Sequence, residues 1–145
     1  MLYIRTLSAL IIILLVFSCK ASHHRSGIIN AMRTYDRLIT KMDADSIASL
    51  YATDGELGKV AKGRDSIKKF LLTFKKFQVL LNESKTDSIV MAGDSAVQTG
   101  SYRQEVILPS KDTAHLKGLF HANWIWKKSE GWHIKKMETT PISNQ

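Results

Sequence analysis

The stretch MDADSIASLYATDG, residues 42–55, decides the fold of this chain. Asp43 has a side-chain oxygen of the kind that caps a helix N-terminus, and apolar residues then follow at the spacing of one helix face. The apolar residues of that face are Ile47, Leu50 and Tyr51. Asp54-Gly55 is a turn signal. The stretch therefore predicts a short helix over residues 44–51 that Asp54-Gly55 brings to an end.

A longer amphipathic helix is predicted on each side of this short one. Residues 27–42 carry an apolar stripe with charged residues opposite it, and a similar stripe follows Gly63-Arg64-Asp65. The two stripes are Ile28, Met32, Tyr35 and Ile39 in the first helix, and Ile67, Phe70, Leu71 and Phe74 in the third. Between the second and third helices, residues 56–62 leave room for a very short hairpin or a loop.

The second half of the chain is rich in strands. After Phe77 the period changes to alternating or continuous apolar runs, separated by turn signals at Gly93-Asp94, at residues 109–112 and at residues 129–131. Helices followed by a meander of long strands are typical of an α+β domain. We predict a cone-shaped, strongly curved antiparallel β-sheet packed against three N-terminal helices.

The N-terminus has the geometry of a secretory signal. Residues 1–18 carry Arg5 near the start and then an apolar run that is short for a membrane span of about 20 residues. The tetrad Val16-Phe17-Ser18-Cys19 resembles a bacterial lipobox, in which the cysteine is lipidated, and Cys19 is the only cysteine of the chain. The alternatives are an ordinary signal peptide or an N-terminal anchor helix with an incidental cysteine.

The lipobox interpretation divides the chain into four parts. They are a signal peptide (1–18), the lipidated Cys19 with a flexible tether (19–27), a folded domain (28–141) and a tail (142–145). It predicts a location in the bacterial cell envelope, with Cys19 in a membrane and the domain outside the cytoplasm. His23 and His24 fall in the tether and are expected to be solvated.

The basic composition does not by itself indicate a nucleic-acid partner. The formal charge is +8 and the isoelectric point is about 9.7, which would suit phosphate binding. However, the lysine pairs are spread over separate elements, and no zinc-finger spacing or RNP-type motif accompanies them. These pairs are Lys68-Lys69, Lys75-Lys76, Lys127-Lys128 and Lys135-Lys136. A solvated face near anionic lipid or acidic polymer is the better interpretation.

Three motifs in order resemble the nuclear transport factor 2-like superfamily, in its SnoaL-like and ketosteroid-isomerase-like branch. They are Asp43 to Asp54, Gly63-Arg64-Asp65-Ser66-Ile67, and Trp126-Lys127-Lys128 with Gly131-Trp132-His133-Ile134. The resemblance covers residues 28–141. It implies a cone whose pocket is closed by the helices, no cofactor, and a homodimer formed through the outer face of the sheet. Members use the pocket for isomerisation, dehydration, cyclisation, ligand binding or dimerisation, so fold does not give function.

Two residues are candidates for a general base. Asp54 would face the pocket in relatives of this kind, where apolar neighbours raise the pKa of a carboxyl, but Asp54-Gly55 also suits a plain helix terminator. His121 lies in a strand between Phe120 and Ala122 and faces either the pocket or the solvent. We find no catalytic triad, metal-ligand cluster or phosphate-binding glycine loop in the sequence.

Further residues are candidates for ligand binding. Aromatic side chains of the expected pocket wall are Tyr35, Tyr51, Phe74, Tyr102 and Trp124, and the tyrosines either donate a hydrogen bond to a ligand or simply pack. In the last strand, alternation places Lys136 and Glu138 on one face with Trp132 and Ile134, as an ion pair near the pocket. Many relatives carry histidines and a serine in this part of the strand, where this chain has Lys136 and Glu138 instead. The absence of those histidines argues against isomerase chemistry.

Two functions remain open at this point. The preferred one is a binding domain on a lipoprotein, whose pocket takes a small apolar or amphipathic molecule or a protein partner. The alternative is a cofactor-independent isomerase, cyclase or dehydratase with Asp54 or His121 as base and a tyrosine as donor. A buried base beside a tyrosine hydroxyl, across an open cavity, would favour the enzyme, whereas a pocket filled by the tryptophans Trp124, Trp126 and Trp132 would argue against it.

Overall fold

The computed structural model describes residues 23–142, which form three helices and six strands. The helices are α1 (Arg25–Lys41), α2 (Ala44–Ser49) and α3 (Arg64–Leu72). The strands are β1 (Tyr51–Leu57), β2 (Ala61–Lys62), β3 (Gln78–Ala92), β4 (Ser95–Ile107), β5 (Thr113–Lys127) and β6 (Gly131–Pro141). The predicted signal peptide and Cys19 lie outside the described residues. No helix within residues 23–142 has the length and apolar character needed to cross a membrane.

The six strands form one curved, mixed sheet in the order β2-β1-β6-β5-β4-β3. Every neighbouring pair is antiparallel except β1 and β6, which are parallel. The α+β prediction is confirmed, with the helices at the N-terminal side of the chain. The sheet is mixed rather than purely antiparallel because β1 follows α2 and joins the sheet beside the last strand.

The short helix at the centre of the opening stretch ends earlier than predicted. The Asp43 side chain caps α2 by accepting a hydrogen bond from the Ser46 amide at 3.1 Å, as expected. The helix then ends at Ser49, and Asp54-Gly55 lies inside β1 rather than at a turn. A Cβ atom at Gly55 would lie 2.9 Å from the Ile134 carbonyl oxygen. The glycine is therefore needed for close approach to β6, not for a change of direction.

The first helix begins at Arg25, two residues before its predicted start and inside the segment predicted as a flexible tether. Gly27 explains this difference, because a Cβ atom there would lie only 3.0 Å from the Trp132 indole ring. The indole packs against the first turn of α1 where the glycine leaves room. At its other end the helix is closed by Met42 in the left-handed conformation, with φ of 49°.

Two glycines allow the long strands to bend. A Cβ atom at Gly100 in β4 would lie 2.6 Å from the ring of Phe120, its partner on β5. Two residue pairs further along, the glycine is on β5 and the aromatic residue is on β4. A Cβ atom at Gly118 would lie 2.6 Å from the ring of its partner Tyr102. Each aromatic ring thus covers the glycine of the neighbouring strand. Two irregularities in the register of β3 add to the curvature of the sheet.

A bulge in β6 changes the face on which its second half presents side chains. Ile134 pairs with Trp124, and Lys136 pairs with Asn123, so that Lys135 is the extra residue. Because paired residues share a face, the bulge moves Lys136 to the face opposite Ile134. The predicted common face for these residues is therefore wrong, since simple alternation does not hold across an extra residue.

The core lies between the helices and the inner face of the sheet. Its largest fully buried side chains come from α1, α2, α3 and strands β1, β4, β5 and β6, which shows that all layers contribute. They are Trp124, Tyr51, Ile28, Ile47, Ile67, Ile134 and Gln98. Of the apolar stripes predicted for the helices, Ile28, Met32, Ile39, Ile67 and Leu71 are buried, whereas Phe74 lies beyond the end of α3 at Leu72.

Candidate functional site

The interior of the cone is filled by aromatic and aliphatic side chains. Trp124 is 2% exposed and Trp132 is 8% exposed. The Trp124 indole donates a hydrogen bond to the Gln98 Oε1 atom at 3.0 Å, and the Gln98 amide donates to the Thr86 hydroxyl at 2.8 Å. These two hydrogen bonds link the Trp124 ring on β5 to β4 and, through Gln98, to β3, and so fix its orientation. The tryptophans thus occupy much of the space where a ligand pocket was expected.

Two predicted ligand-binding tyrosines belong to this packed interior. The Tyr35 and Tyr51 rings meet edge to face with centroids 6.5 Å apart. Burial raises the pKa of both hydroxyls, that of Tyr51 most strongly. The Tyr51 hydroxyl is buried without a hydrogen-bond partner among residues 23–142. Within the same residues, no hydrogen bond joins a tyrosine hydroxyl to a carboxylate or an imidazole.

Asp54 lies on the exterior rather than in a pocket. Its side chain is 67% exposed and forms an ion pair with Lys135. The hydrogen bond and the charge of Lys135 hold the pKa of the Asp54 carboxyl below its ordinary value. The expected general base required an apolar environment that raises its pKa, and this position provides the opposite.

A cleft of about 980 Å³ lies beside the turn between β1 and β2. It is lined by the turn itself, by α3, and by the middle of the sheet where β4, β5 and β6 bend. Apolar lining residues are Leu57, Val60, Phe70, Leu119, Phe120 and Met137, and polar ones are Lys59, Asp87, Thr99, His121, Glu138, Thr139 and Thr140. The cleft therefore combines an apolar surface with charged and hydroxyl groups.

His121 and Glu138 are the two predicted site residues that line this cleft. They pair across β5 and β6, and both lie on the face opposite Trp124. The Lys136 ammonium approaches the Glu138 carboxylate to 2.8 Å, so the predicted ion pair is present. The hydrogen bond from Lys136 is the main cause of the lowered pKa of Glu138, and the charges of His121 and Lys59 add to it. Positive groups thus surround this carboxylate at the cleft.

The remaining predicted ligand-binding residues lie elsewhere. Phe74 lines a second, mainly apolar cavity of about 300 Å³ between the ends of α1 and α3 and the inner face of the sheet. Tyr102 covers Gly118 on the neighbouring strand, and burial raises the pKa of its hydroxyl. The structure therefore does not bring the predicted aromatic residues together around one open pocket.

One polar residue that sequence reasoning missed is Asp36 on α1. Its carboxylate accepts hydrogen bonds from the Asn82 amide at 2.7 Å and from Ser84, and burial raises its pKa. Asp36 follows Met32 by four residues, which places it at the flank of the apolar stripe. That spacing was a signal that it faces the sheet.

The residues that the structure describes contain no group of three or more histidine, cysteine, aspartate or glutamate side chains able to hold a metal ion. The charged groups at the cleft are of mixed sign, with Lys59 and His121 near Glu138. Such an arrangement suits a ligand with both polar and apolar parts.

Three helices packed against a curved six-stranded sheet define the class of this protein as a cone-shaped α+β fold of the nuclear transport factor 2 type. A family model described as a SnoaL-like domain matches residues 20–138. The chain therefore belongs to the SnoaL-like domain family. No curated protein sequence matches it.

Solved structures show the same fold at low sequence identity. A ketosteroid isomerase-like protein from Erwinia carotovora atroseptica has a TM-score of 0.73 and 16% identity, over 82% of this chain and 96% of that one. A nuclear transport factor 2-like superfamily protein from Salmonella enterica has a TM-score of 0.67 and 17% identity, over 81% and 89%. ActVI-ORFA from Streptomyces coelicolor has a TM-score of 0.67 and 16% identity, over 80% and 95%. These likenesses establish the fold alone.

Proposed function

We propose that this protein is an envelope lipoprotein whose SnoaL-like domain binds an amphipathic small molecule in the cleft beside the β1–β2 turn. The observation that carries the proposal is the lining of that cleft, where aliphatic and aromatic groups adjoin charged ones. An apolar surface with a few convergent polar groups is the usual composition of a small-molecule site.

The polar groups suggest which end of the ligand they bind. Lys59 and His121 lie near the Glu138 carboxylate, which is already paired with Lys136. A ligand that carries an acidic or strongly accepting group would interact with Lys59 and His121, while its apolar part would cover Leu119 and Val60. The hydroxyls of the adjoining threonines supply further hydrogen bonds.

Two leucines of β5 provide a matched test of the site. Leu119 lines the cleft and is 50% exposed, whereas Leu116 lines the smaller apolar cavity and is 48% exposed. Native mass spectrometry of the purified protein should detect a carried ligand that Leu119→Glu loses and Leu116→Glu retains. Loss from the Leu116 variant alone would move the site to the smaller cavity, and retention by both variants would overturn the proposal for the cleft.

Anchoring through Cys19 is the second part of the proposal and rests on the lipobox-like tetrad at residues 16–19. A lipidated cysteine holds a domain at a membrane because each buried methylene contributes about 0.8 kcal/mol. Mass spectrometry of the N-terminal peptide should find a diacylglycerol-modified Cys19, and Cys19→Ser should release the protein from the membrane fraction. An unmodified cysteine in membrane-bound protein would contradict this part.

A homodimer formed through the outer face of the sheet is the third part. Val90 and Val97 pair between β3 and β4 and are 62% and 37% exposed. A second copy is the partner that the family resemblance implies for this face. Sedimentation should give a dimer that Val97→Glu dissociates, with Val60→Glu as the control because Val60 is 60% exposed on a turn. A monomer at tens of micromolar would contradict this part.

The enzyme alternative has less support in this geometry. Asp54 is exposed beside Lys135, and His121 faces away from the side of the sheet that carries Trp124. Neither is hydrogen-bonded to a tyrosine hydroxyl among the described residues. We therefore favour binding without catalysis.

A further inference from the structure

The start of the described chain is held against the domain by His23. Its imidazole ring stacks on the Trp126 indole, with centroids 4.1 Å apart and an interplanar angle of 24°. It also meets the edge of Trp132 at 5.7 Å. The Nε2 atom lies 2.8 Å from the Asp94 carboxylate, and the His23 side chain is only 12% exposed. Aromatic stacking and a charge-assisted hydrogen bond therefore act on one side chain.

The neighbouring histidine shows that the contact is specific. His24 is exposed, and it precedes α1 without a side-chain capping hydrogen bond. Gly27 and Trp132 continue the contact, because the glycine leaves room for the indole on the first turn of the helix. The expectation that His23 is solvated is therefore wrong, because its ring packs against the two tryptophans, whereas His24 is exposed as expected.

We propose that His23 is a latch that fixes the start of the chain to Trp126, Trp132 and Asp94, and thereby sets the orientation of the domain on the membrane. The latch itself depends only on the contacts above. The orientation rests on the proposed lipid anchor at Cys19.

The position of the latch determines which end of the domain faces the membrane. Three residues lie between Cys19 and His23, so the two Cα atoms are four residue steps apart and can be separated by at most about 14 Å. Along β6, Trp132 beside the latch and Glu138 at the cleft are six residues apart, or about 20 Å at the rise of a strand. The latch therefore holds the β5–β6 turn toward the membrane and the cleft at the far end, open to ligands in the aqueous phase.

Hydrogen exchange on the full chain tests the latch. In His23→Ala, amides in the first two turns of α1 should exchange about fivefold faster, since one stacked ring and one hydrogen bond are lost. Asp94→Ala should give a smaller increase in the same segment. His24→Ala is the matched control and should leave the rate unchanged. Equal rates for the parent and His23→Ala, or equal increases for both histidine variants, would overturn the latch.

Fluorescence quenching in vesicles tests the orientation. A fluorophore on Ser129→Cys, in the β5–β6 turn, should be quenched by lipids that carry a spin label on the headgroup, and one on Thr140→Cys should not. Adding His23→Ala should reduce the difference between the two positions. Equal quenching at both positions in protein whose Cys19 lipid is verified by mass spectrometry would overturn the orientation. Protein that lacks the lipid and does not sediment with vesicles would instead overturn the anchor and, with it, the orientation.

Discussion

The Asp36 carboxylate on α1 accepts two hydrogen bonds from Ser84 on β3, one from the backbone amide at 3.0 Å and one from the hydroxyl at 2.8 Å. The Asn82 amide donates a third at 2.7 Å. Because β3 is an edge strand, this cluster ties the first helix to the margin of the sheet. These polar contacts lie at the edge of the otherwise apolar interface between α1 and the sheet.

Asp36→Ala should destabilise the domain by about 1–3 kcal/mol, because the donors of Asn82 and Ser84 lose their acceptor in a partly buried place. The free energy of unfolding from urea titrations at neutral pH measures this effect. Asp45→Ala is the control, since Asp45 is exposed and pairs with the Lys68 side chain, and it should change stability by less than about 1 kcal/mol. Similar losses in both variants would contradict a special role for Asp36.

The pH dependence of stability should also differ between the parent and Asp36→Asn. Burial raises the pKa of the Asp36 carboxyl, so the folded protein keeps this proton at a pH where the unfolded chain has released it. This group therefore favours folding at low pH, and its contribution falls as pH rises through the raised pKa.

Asp36→Asn removes the titration, so its stability relative to the parent should improve from about pH 4 to pH 7. Urea titrations at four pH values across this range give the difference directly. Other carboxylates cancel in the comparison. A constant difference, or one that worsens with pH, would show that the pKa is not raised.

Gln98→Ala should be among the most damaging single substitutions of a polar residue. Gln98 is fully buried and joins the Trp124 indole to the Thr86 hydroxyl. Its removal opens a cavity and takes the partner from the buried indole N–H and from the partly buried hydroxyl. We expect a loss of about 2–4 kcal/mol, with a shift in tryptophan fluorescence. Gln78→Ala, at the exposed first residue of β3, is the control and should be nearly neutral.

Gly100→Ala should weaken the bend of the sheet. An added Cβ atom would overlap the Lys85 carbonyl oxygen and lie 2.6 Å from the Phe120 ring. The backbone must shift, at a cost of about 1–3 kcal/mol. In the double variant with Phe120→Ala only the clash with the ring is relieved, so the effect of Gly100→Ala should be smaller there but should persist. Thermal unfolding of the four proteins of this cycle measures the coupling.

Asp54→Asn should have little effect on the free energy of unfolding or on ligand retention. Asp54 and Lys135 form an exposed ion pair, and such pairs contribute little. The lysine lowers the pKa of the carboxyl, so the contribution of the pair is lost as pH falls through that lowered pKa. Native mass spectrometry and urea titration at neutral pH check both expectations. Loss of a carried ligand from this variant would return Asp54 to the list of site residues.

The fold could be predicted from the sequence because its signals are local. The Asp43 cap and the apolar stripes of α1 and α3 depend on residues within a few positions of one another. The turn predicted at Asp54-Gly55 is wrong because the glycine is required by a residue far away in the sequence. It leaves room for the Ile134 carbonyl of the neighbouring strand. A glycine next to an aspartate looks the same in a turn and in a strand that needs close packing.

The candidate site was harder to predict because it depends on pairing between distant strands. His121 and Glu138 come together only through the register of β5 and β6. The face of Lys136 follows from the bulge at Lys135, which becomes visible only when the partner strand is counted. The buried contacts of His23 likewise join residues about a hundred positions apart, so a pair of adjacent histidines gave no sign of them.

The bulge at Lys135 reverses the alternation of inward and outward side chains along the last strand. Before it, Trp132 and Ile134 face the core, whereas after it Lys136 and Glu138 face outward and Glu138 lines the cleft. Substitutions at the latter two positions can therefore alter the charge of this surface while the interior stays unchanged. A residue inserted after the bulge that shifted the register by one would have a wider effect, since it would turn Lys136 and Glu138 toward the interior and Met137 away from it. The charge of this outer surface is thus easy to alter by point substitution, whereas the register of the strand after the bulge is difficult to change.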